Sequence, residues 1–321
     1  MPLHKILVGD ALTHLRQLPD NVVNCVVTSP PYWCLRDYGI PNQIGLELTY
    51  LEYVENLRVI FREVRRILRL DGTLWLNLGD TYAGSWGAQS RGDDYPGTLT
   101  GGSTLSARQI VAHPKQTQTG SRKRTPGLKA KDMVGIPWRV AFALQEDGWW
   151  LRSEIIWAKP NGMPTSQLDR CTSAHESIFM FTKSAKYWSD FDAIKTPPRE
   201  STLVRTAQDL QAQAGSHRTL KTNGPMLAVG GARPAMMRDV WFVSSGSGFN
   251  GDHFAVMPEE IARRCVLAGC PENGIVVDPF GGAGTTAVAA LKHNRNCLLI
   301  ELNPDYATIA RQRCAVYTNH S

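Results

Sequence analysis

The chain has 321 residues, above the usual single-domain size, so one large α/β domain carrying an insertion, or two modest domains, is expected. With 42% hydrophobic and 20% charged residues and a mean hydropathy of −0.25, the composition excludes a disordered or fibrous chain. No apolar run approaches the ~18 residues needed to span a bilayer, and Gly9-Asp10 breaks the short N-terminal apolar stretch, so neither a membrane segment nor a signal peptide is expected.

Seven cysteines, Cys25, Cys34, Cys171, Cys265, Cys270, Cys297 and Cys314, are scattered without a C-x-x-C pair or matching histidines. That pattern predicts reduced thiols in a cytoplasmic protein, with no disulfide scaffold and no metal site. The net charge of +6 is unevenly placed: residues 84–131 hold 8 Lys/Arg against 2 Asp/Glu and residues 195–238 hold 7 against 2, which leaves −5 on the remainder.

Residues 5–9 (KILVG) and 22–28 (VVNCVVT) read as short buried strands, with a helix between them. Leu51, Val54, Leu57, Phe61, Val64 and Leu68 recur at helical spacing, and Asp71-Gly72 is expected to stop that helix before a strand at 73–79. Residues 84–131 lack periodicity and read as a mobile basic loop. A helix over 137–146 and strands at 153–159 and 177–183 follow. Residues 195–249 lose periodicity again, which marks them as a separate small module. Pro258 opens a helix to about Ala268. A strand (274–280), a glycine loop (281–284), a helix (285–292), a strand (296–302) and a helix from Pro304 complete the chain.

Two motifs carry chemistry. Gly282, Gly284 and Ala287 match G-x-G-x-x-[GA] after a strand, a spacing that lets backbone approach a ligand at a helix N-terminus. Glu301, 17 residues after Gly284, is placed to take the two hydroxyls of a ribose; the same spacing also suits a plain strand-to-helix turn. Only about 20 residues follow Glu301, so the rest of the sheet must come from the N-terminal part, and the motif order is circularly permuted. The second motif, Thr28-Ser29-Pro30-Pro31-Tyr32-Trp33, follows a strand directly. Its prolines fix an extended turn. A hydroxyl, a fixed carbonyl and an aromatic face in so few residues can grip a planar group bearing an NH2, although a proline turn with core aromatics has the same letters.

The pairing of TSPPYW with DPFGGAGTT (278–286) resembles the DNA amino-methyltransferases of the permuted beta class. VGDAL (8–12), residues 136–161, HESIFMFTKSAKYW (175–188), HFAVMP (253–258) and IELNPDY (300–306) extend the resemblance over most of the chain. It implies a doubly wound, mainly parallel, Rossmann-like methyltransferase sheet with a small target-recognition insertion. Residues 1–194 would be the catalytic part, 195–249 the target-recognition region, and 250–321 the S-adenosylmethionine-binding part of the same domain.

The resemblance further implies that Asp278, Phe280, Gly282, Gly284 and Thr285 surround the methionine part of S-adenosylmethionine, that Glu301 holds its ribose and that Asp10 reaches its adenine. An aspartate after a strand is equally suited to capping a helix. Ser29, Pro30, Pro31 and Tyr32 would be catalytic and Trp33 a second stacking surface for a base flipped out of duplex DNA. Arg205, Arg218, Lys221, Arg233 and Arg238 are candidate DNA contacts. The expected product is N4-methylcytosine, because Ser29 stands where adenine-modifying relatives commonly carry Asp or Asn; N6-methyladenine is the alternative. A nicotinamide-dependent oxidoreductase would leave TSPPYW unexplained, and a non-catalytic DNA-binding regulator would not need it. A cognate restriction endonuclease, a bacterial or phage origin, and a monomer or homodimer complete the expectation.

Overall fold

A computed structural model of the chain describes residues 2–35, 37–83, 125–162, 164–165, 167–197, 200, 234–245 and 257–317. The strands are β1 (His4–Val8), β2 (Val23–Thr28), β3 (Leu68–Leu78), β4 (Trp150–Ala158), β5 (His175–Thr182), β6 (Val240–Phe242), β7 (Ile275–Asp278) and β8 (Asn296–Glu301). They form one sheet in the order β1-β8-β7-β2-β3-β5-β4-β6. Among the described residues only β5 runs antiparallel, to both β3 and β4.

The inner strands β2, β3, β5 and β7 bury most of their residues because both faces of the sheet are covered there. The pleat sends Val26, Leu74, Leu76, Phe179, Phe181, Val277 and Ile300 to one face. There they meet α1 (Ala11–Gln17), α2 (Tyr50–Ile67) and α3 (Ile136–Glu146). Cys25, Val27, Trp75, Ile178, Met180, Val276 and Leu299 face the other way. They pack on α4 (Glu259–Gly269), α5 (Thr285–Lys292) and α6 (Pro304–Ala315).

The permuted order holds. β1 lies parallel to β8, with Val8 opposite Glu301 and Gly9 N–H on the Glu301 carbonyl at 2.9 Å. β2 pairs with β7. The chain therefore winds one way from β2 through α2 to β3 and the other way from β7 through α5 to β8. A crevice opens between the C-terminal ends of β2 and β7, the usual ligand position in such sheets.

Two boundaries differ from expectation. A capping box between Thr49 and Glu52 starts α2, but the helix ends at Ile67 and Asp71-Gly72 lies inside β3. Pairing of Val23 with Leu68 draws the chain into the sheet before the Asp-Gly signal is reached. The loop expected over 84–131 is anchored at its far end, where Lys131 N–H bonds the Ala83 carbonyl at 2.8 Å; residues 84–124 lie outside the described residues. Part of 195–249 joins the main sheet as β6, beside β4.

Candidate active site

One wall of the crevice is the β7–loop–α5–β8 segment. Asp278, 4% exposed, ends β7 and gathers three donors: Thr28 Oγ1 at 2.6 Å and Phe280 N–H at 3.0 Å on Oδ1, and Thr286 Oγ1 at 2.7 Å on Oδ2. These bonds staple β2, β7 and α5 together. Burial pushes the Asp278 carboxyl up, and the three donors pull it the other way.

Glu301 closes the loop from β8. Its Oε2 accepts Gly282 N–H at 2.7 Å and its Oε1 accepts Asn303 N–H at 2.8 Å. Burial pushes this carboxyl up as well. Gly284 has a φ of +82°, and a Cβ there would sit 2.8 Å from the Ala310 Cβ, so its lack of a side chain lets the loop lie against α6. Arg313 reaches back from α6 to the Ala283 carbonyl at 2.6 Å and to Thr285 Oγ1 at 3.2 Å.

The cleft encloses about 990 Å³ including its open mouth. Of the expected cofactor residues, Asp10, Asp278, Phe280, Gly282, Thr285 and Glu301 line it. Gly284 does not; it serves the packing just described. Asp10 does both things that its position allows. It faces the cleft, and its Oδ1 caps α1 by accepting Thr13 N–H at 2.8 Å and Thr13 Oγ1 at 2.7 Å. Tyr38, Ile40, Ile44 and Tyr306 also line the cleft. No spacing rule marks the first three, because they belong to an irregular segment between β2 and α2.

The opposite wall begins at the end of β2. Ser29 and Pro31 line the cleft, and Tyr53 Oη donates to the Pro31 carbonyl at 2.8 Å, which holds the proline turn against α2. The Tyr32 ring lies over the backbone at Gly79, where a Cβ would come within 2.5 Å of the ring. The Tyr32 hydroxyl donates to Glu176 Oε2 at 2.5 Å and accepts from Asn77 Nδ2 at 2.9 Å. Burial and the adjacent Glu176 carboxylate push the Tyr32 phenol well above its ordinary value. Lys159 Nζ bonds the second oxygen of Glu176.

Asn77, Lys159 and Glu176 escaped the sequence reading. Asn77 interrupts the apolar run LWLNL, and Glu176 opens the apolar strand HESIFMF. A polar residue inside a buried run is the signal that could have found Asn77; Glu176 and Lys159 stand at strand ends, where polar residues are ordinary.

Trp33 corrects an expectation. It is 1% exposed, donates its indole N–H to the Glu47 carbonyl at 2.9 Å and meets Tyr50 edge-on at 6.1 Å. The rigid turn directs it into the core beneath α2, so it presents no face to a base. Arg238 is exposed just before β6. Arg205, Arg218, Lys221 and Arg233 lie outside the described residues. Among the described residues no three His, Cys, Asp or Glu side chains gather as a metal-ligand group, and no helix is long and apolar enough to cross a membrane. Cys25, Cys265, Cys270, Cys297 and Cys314 are buried free thiols, and burial pushes Cys270 up to about 12, so these are core residues rather than nucleophiles.

A family model described as a DNA methylase matches residues 23–312. The type II methyltransferase M.XycI of Xanthomonas campestris pv. cyanopsidis is 44% identical over 307 residues, covering 95% of this chain and 85% of that protein. M.SmaI of Serratia marcescens is 42% identical over 310 residues, covering 96% and 90%. Among solved structures, the cytosine-N4-specific PvuII DNA methyltransferase shares the fold with a TM-score of 0.62 at 18% identity, over 97% of this chain and 86% of that one. A Thermus thermophilus protein in complex with S-adenosyl-L-methionine gives 0.56 at 21% identity, over 99% and 96%. With a family match running from β2 into α6 and relatives this similar along nearly the whole chain, the protein belongs to the N6/N4 DNA methylase family and is a DNA methyltransferase.

Proposed function

We propose that the enzyme methylates the exocyclic N4 amine of a cytosine flipped out of duplex DNA, with S-adenosylmethionine as the methyl donor. The observation that carries this reading is the position of Ser29 at the end of β2, on the same cleft as Asp278, Gly282 and Glu301. The residues suit the cofactor chemically. Carboxylates at Asp10, Asp278 and Glu301 match hydroxyl, amine and cationic groups, and Phe280, Ile40, Ile44 and Tyr306 supply apolar walls for a nucleoside. When bound, the cofactor supplies an electrophilic methyl group on a positively charged sulfur.

The chain's own residues prepare the nucleophile. An aryl amine is weakly nucleophilic because its lone pair is delocalised into the ring. Ser29 Oγ and the Pro30 carbonyl would accept its two hydrogens, which makes the nitrogen more pyramidal and frees that lone pair. The Tyr32 ring would stack on the base, contributing ~1–3 kcal/mol against a flipping cost of a few kcal/mol. No covalent enzyme intermediate is required. The basic stretches 84–131 and 195–238 would bind phosphates, with 195–249 reading the sequence. The type II methyltransferase relatives support a restriction-modification role, with a cognate endonuclease as partner and a bacterial cytoplasm as the setting.

Serine in place of Asp or Asn is what favours cytosine over adenine. Incubating mixed-sequence DNA with enzyme and S-adenosylmethionine, digesting to nucleosides and identifying the methylated species by mass and retention tests this choice. N4-methyldeoxycytidine is expected; N6-methyldeoxyadenosine as the sole product would overturn the base assignment and leave the fold and family untouched.

A further inference from the structure

Behind Ser29 and Tyr32, three polar side chains converge that the transfer step does not use: Asn77 of β3, Lys159 just past β4 and Glu176 of β5. We propose that Glu176 is a positioning residue that sets the hydrogen-bond direction of Ser29, so that the serine oxygen meets the target amine as an acceptor. This inference rests on the reading of Ser29 as an amine acceptor.

What each group can donate or accept fixes the direction of the chain of bonds. An ionised carboxylate only accepts, and a phenol has a single hydrogen. Tyr32 spends that hydrogen on Glu176 Oε2 at 2.5 Å. Its oxygen can then only accept from its other neighbours, Asn77 Nδ2 at 2.9 Å and Ser29 Oγ at 3.4 Å. The serine hydrogen is thereby turned inward, toward Tyr32. What Ser29 has left for a ligand in the cleft is lone pairs, which is what an amine hydrogen needs.

Asn77 enforces the same direction. Its two Nδ2 hydrogens go to the nearer acceptors, Glu176 Oε2 and Tyr32 Oη, each at 2.9 Å, and the same nitrogen, 3.4 Å from Ser29 Oγ, offers the serine hydrogen no acceptor. Lys159 occupies Glu176 Oε1, with its ammonium 4.4 Å from the centre of the Trp157 ring. The pairing of Trp157 with Glu176 across β4 and β5 brings lysine and carboxylate side by side. Without an acceptor-only group at its end, the Ser29–Tyr32 pair could run the other way. Tyr32 would then donate to Ser29, whose hydroxyl hydrogen would point at the incoming N–H.

A double-mutant cycle tests this. Single-turnover methylation and S-adenosylmethionine affinity are measured for Glu176→Gln, Ser29→Ala and the pair. Glu176→Gln is expected to slow methyl transfer about 10- to 100-fold, below the ~10²–10³-fold typical of a direct transition-state hydrogen bond, with cofactor affinity and DNA KM unchanged. In the Ser29→Ala background the same change should alter the rate less than about twofold, because the group being oriented is gone. Equal losses in both backgrounds would overturn the inference, as they would show Glu176 acting independently of Ser29. A slow Ser29→Ala enzyme beside a full-speed Glu176→Gln enzyme would overturn it too and leave the acceptor reading standing. Wild-type turnover in Ser29→Ala would remove the acceptor reading itself. Should Glu176→Gln not fold, Tyr32→Phe cuts the same link while keeping the ring. It should then show the same loss of turnover and the same absence of effect in the Ser29→Ala background; a full independent loss there would again overturn the inference.

Discussion

The two walls of the cleft are built on different principles. On the β7–β8 side, residues 278–303 fold as one contiguous unit, and the two carboxylates that shape the loop, Asp278 and Glu301, take backbone N–H groups of Phe280, Gly282 and Asn303. On the β2 side, Ser29 lines the cleft and is backed by Tyr32, Asn77, Lys159 and Glu176, which come with it from four separate segments and meet side chain to side chain. The first wall depends on where the main chain runs, so it is sensitive to added bulk. The second depends on which polar atoms are present, so it is sensitive to the loss of a single group.

The sharpest way to test this contrast is Ser29→Ala, which deletes one acceptor on the side-chain wall. Turnover should fall ~10²–10³-fold, a loss of about 2.7–4 kcal/mol in transition-state stabilisation, while calorimetry shows unchanged affinity for S-adenosylmethionine. Glu301→Ala should do the reverse. It removes a carboxylate that orders the loop and faces the cleft, so cofactor affinity should drop by about 1.5–3 kcal/mol, the range for hydrogen bonds to charged groups, in a protein that still unfolds cooperatively.

Gly284→Val should act on folding before it acts on binding. The residue sits at a φ of +82° with Ala310 2.8 Å from any Cβ, so chemical denaturation should show about 1–3 kcal/mol of lost stability. If the variant keeps wild-type stability and loses only cofactor affinity, the loop is not held by packing on α6, and the contrast between the walls weakens.

The smallest effect is a slope. Burial raises the Asp278 carboxyl in the folded state above its unfolded value. Its contribution to stability is therefore fully present below the ordinary carboxylate range and is lost as pH rises through the raised folded value. Asp278→Asn removes that titration, so the difference in unfolding free energy between wild type and variant should move against the wild type as pH climbs out of the acid range. A difference that stays flat with pH would mean that the bonds from Thr28, Thr286 and Phe280 fully offset burial.

Legibility in the sequence followed the same division. The Gly loop, its strand and helix, and Glu301 are close in the chain, so spacing alone predicted the wall they form, and the short tail after Glu301 predicted that the N-terminal half completes the sheet. Ser29 and Tyr32 were legible as a rigid motif at a strand end. Trp33, in the same motif, was not: the turn carries it into the core, and adjacent letters do not reveal which of two aromatics faces inward. Asn77 showed only as a polar interruption in an apolar strand, and Glu176 only as a polar residue at a strand's start.

The sequence by itself determined the alternation of strands and helices, the permuted order and the loop that suits a nucleotide-like ligand, because each depends on local periodicity or on backbone freedom at particular residues. Tertiary structure alone decided that β5 enters antiparallel between β3 and β4. That arrangement places Glu176 within reach of Tyr32, Asn77 and Lys159. A strand's pleat dictates which residues share a face, but its neighbours and their register are chosen by the packing of the whole sheet, and a site made of side chains from separate strands exists only once that packing is complete.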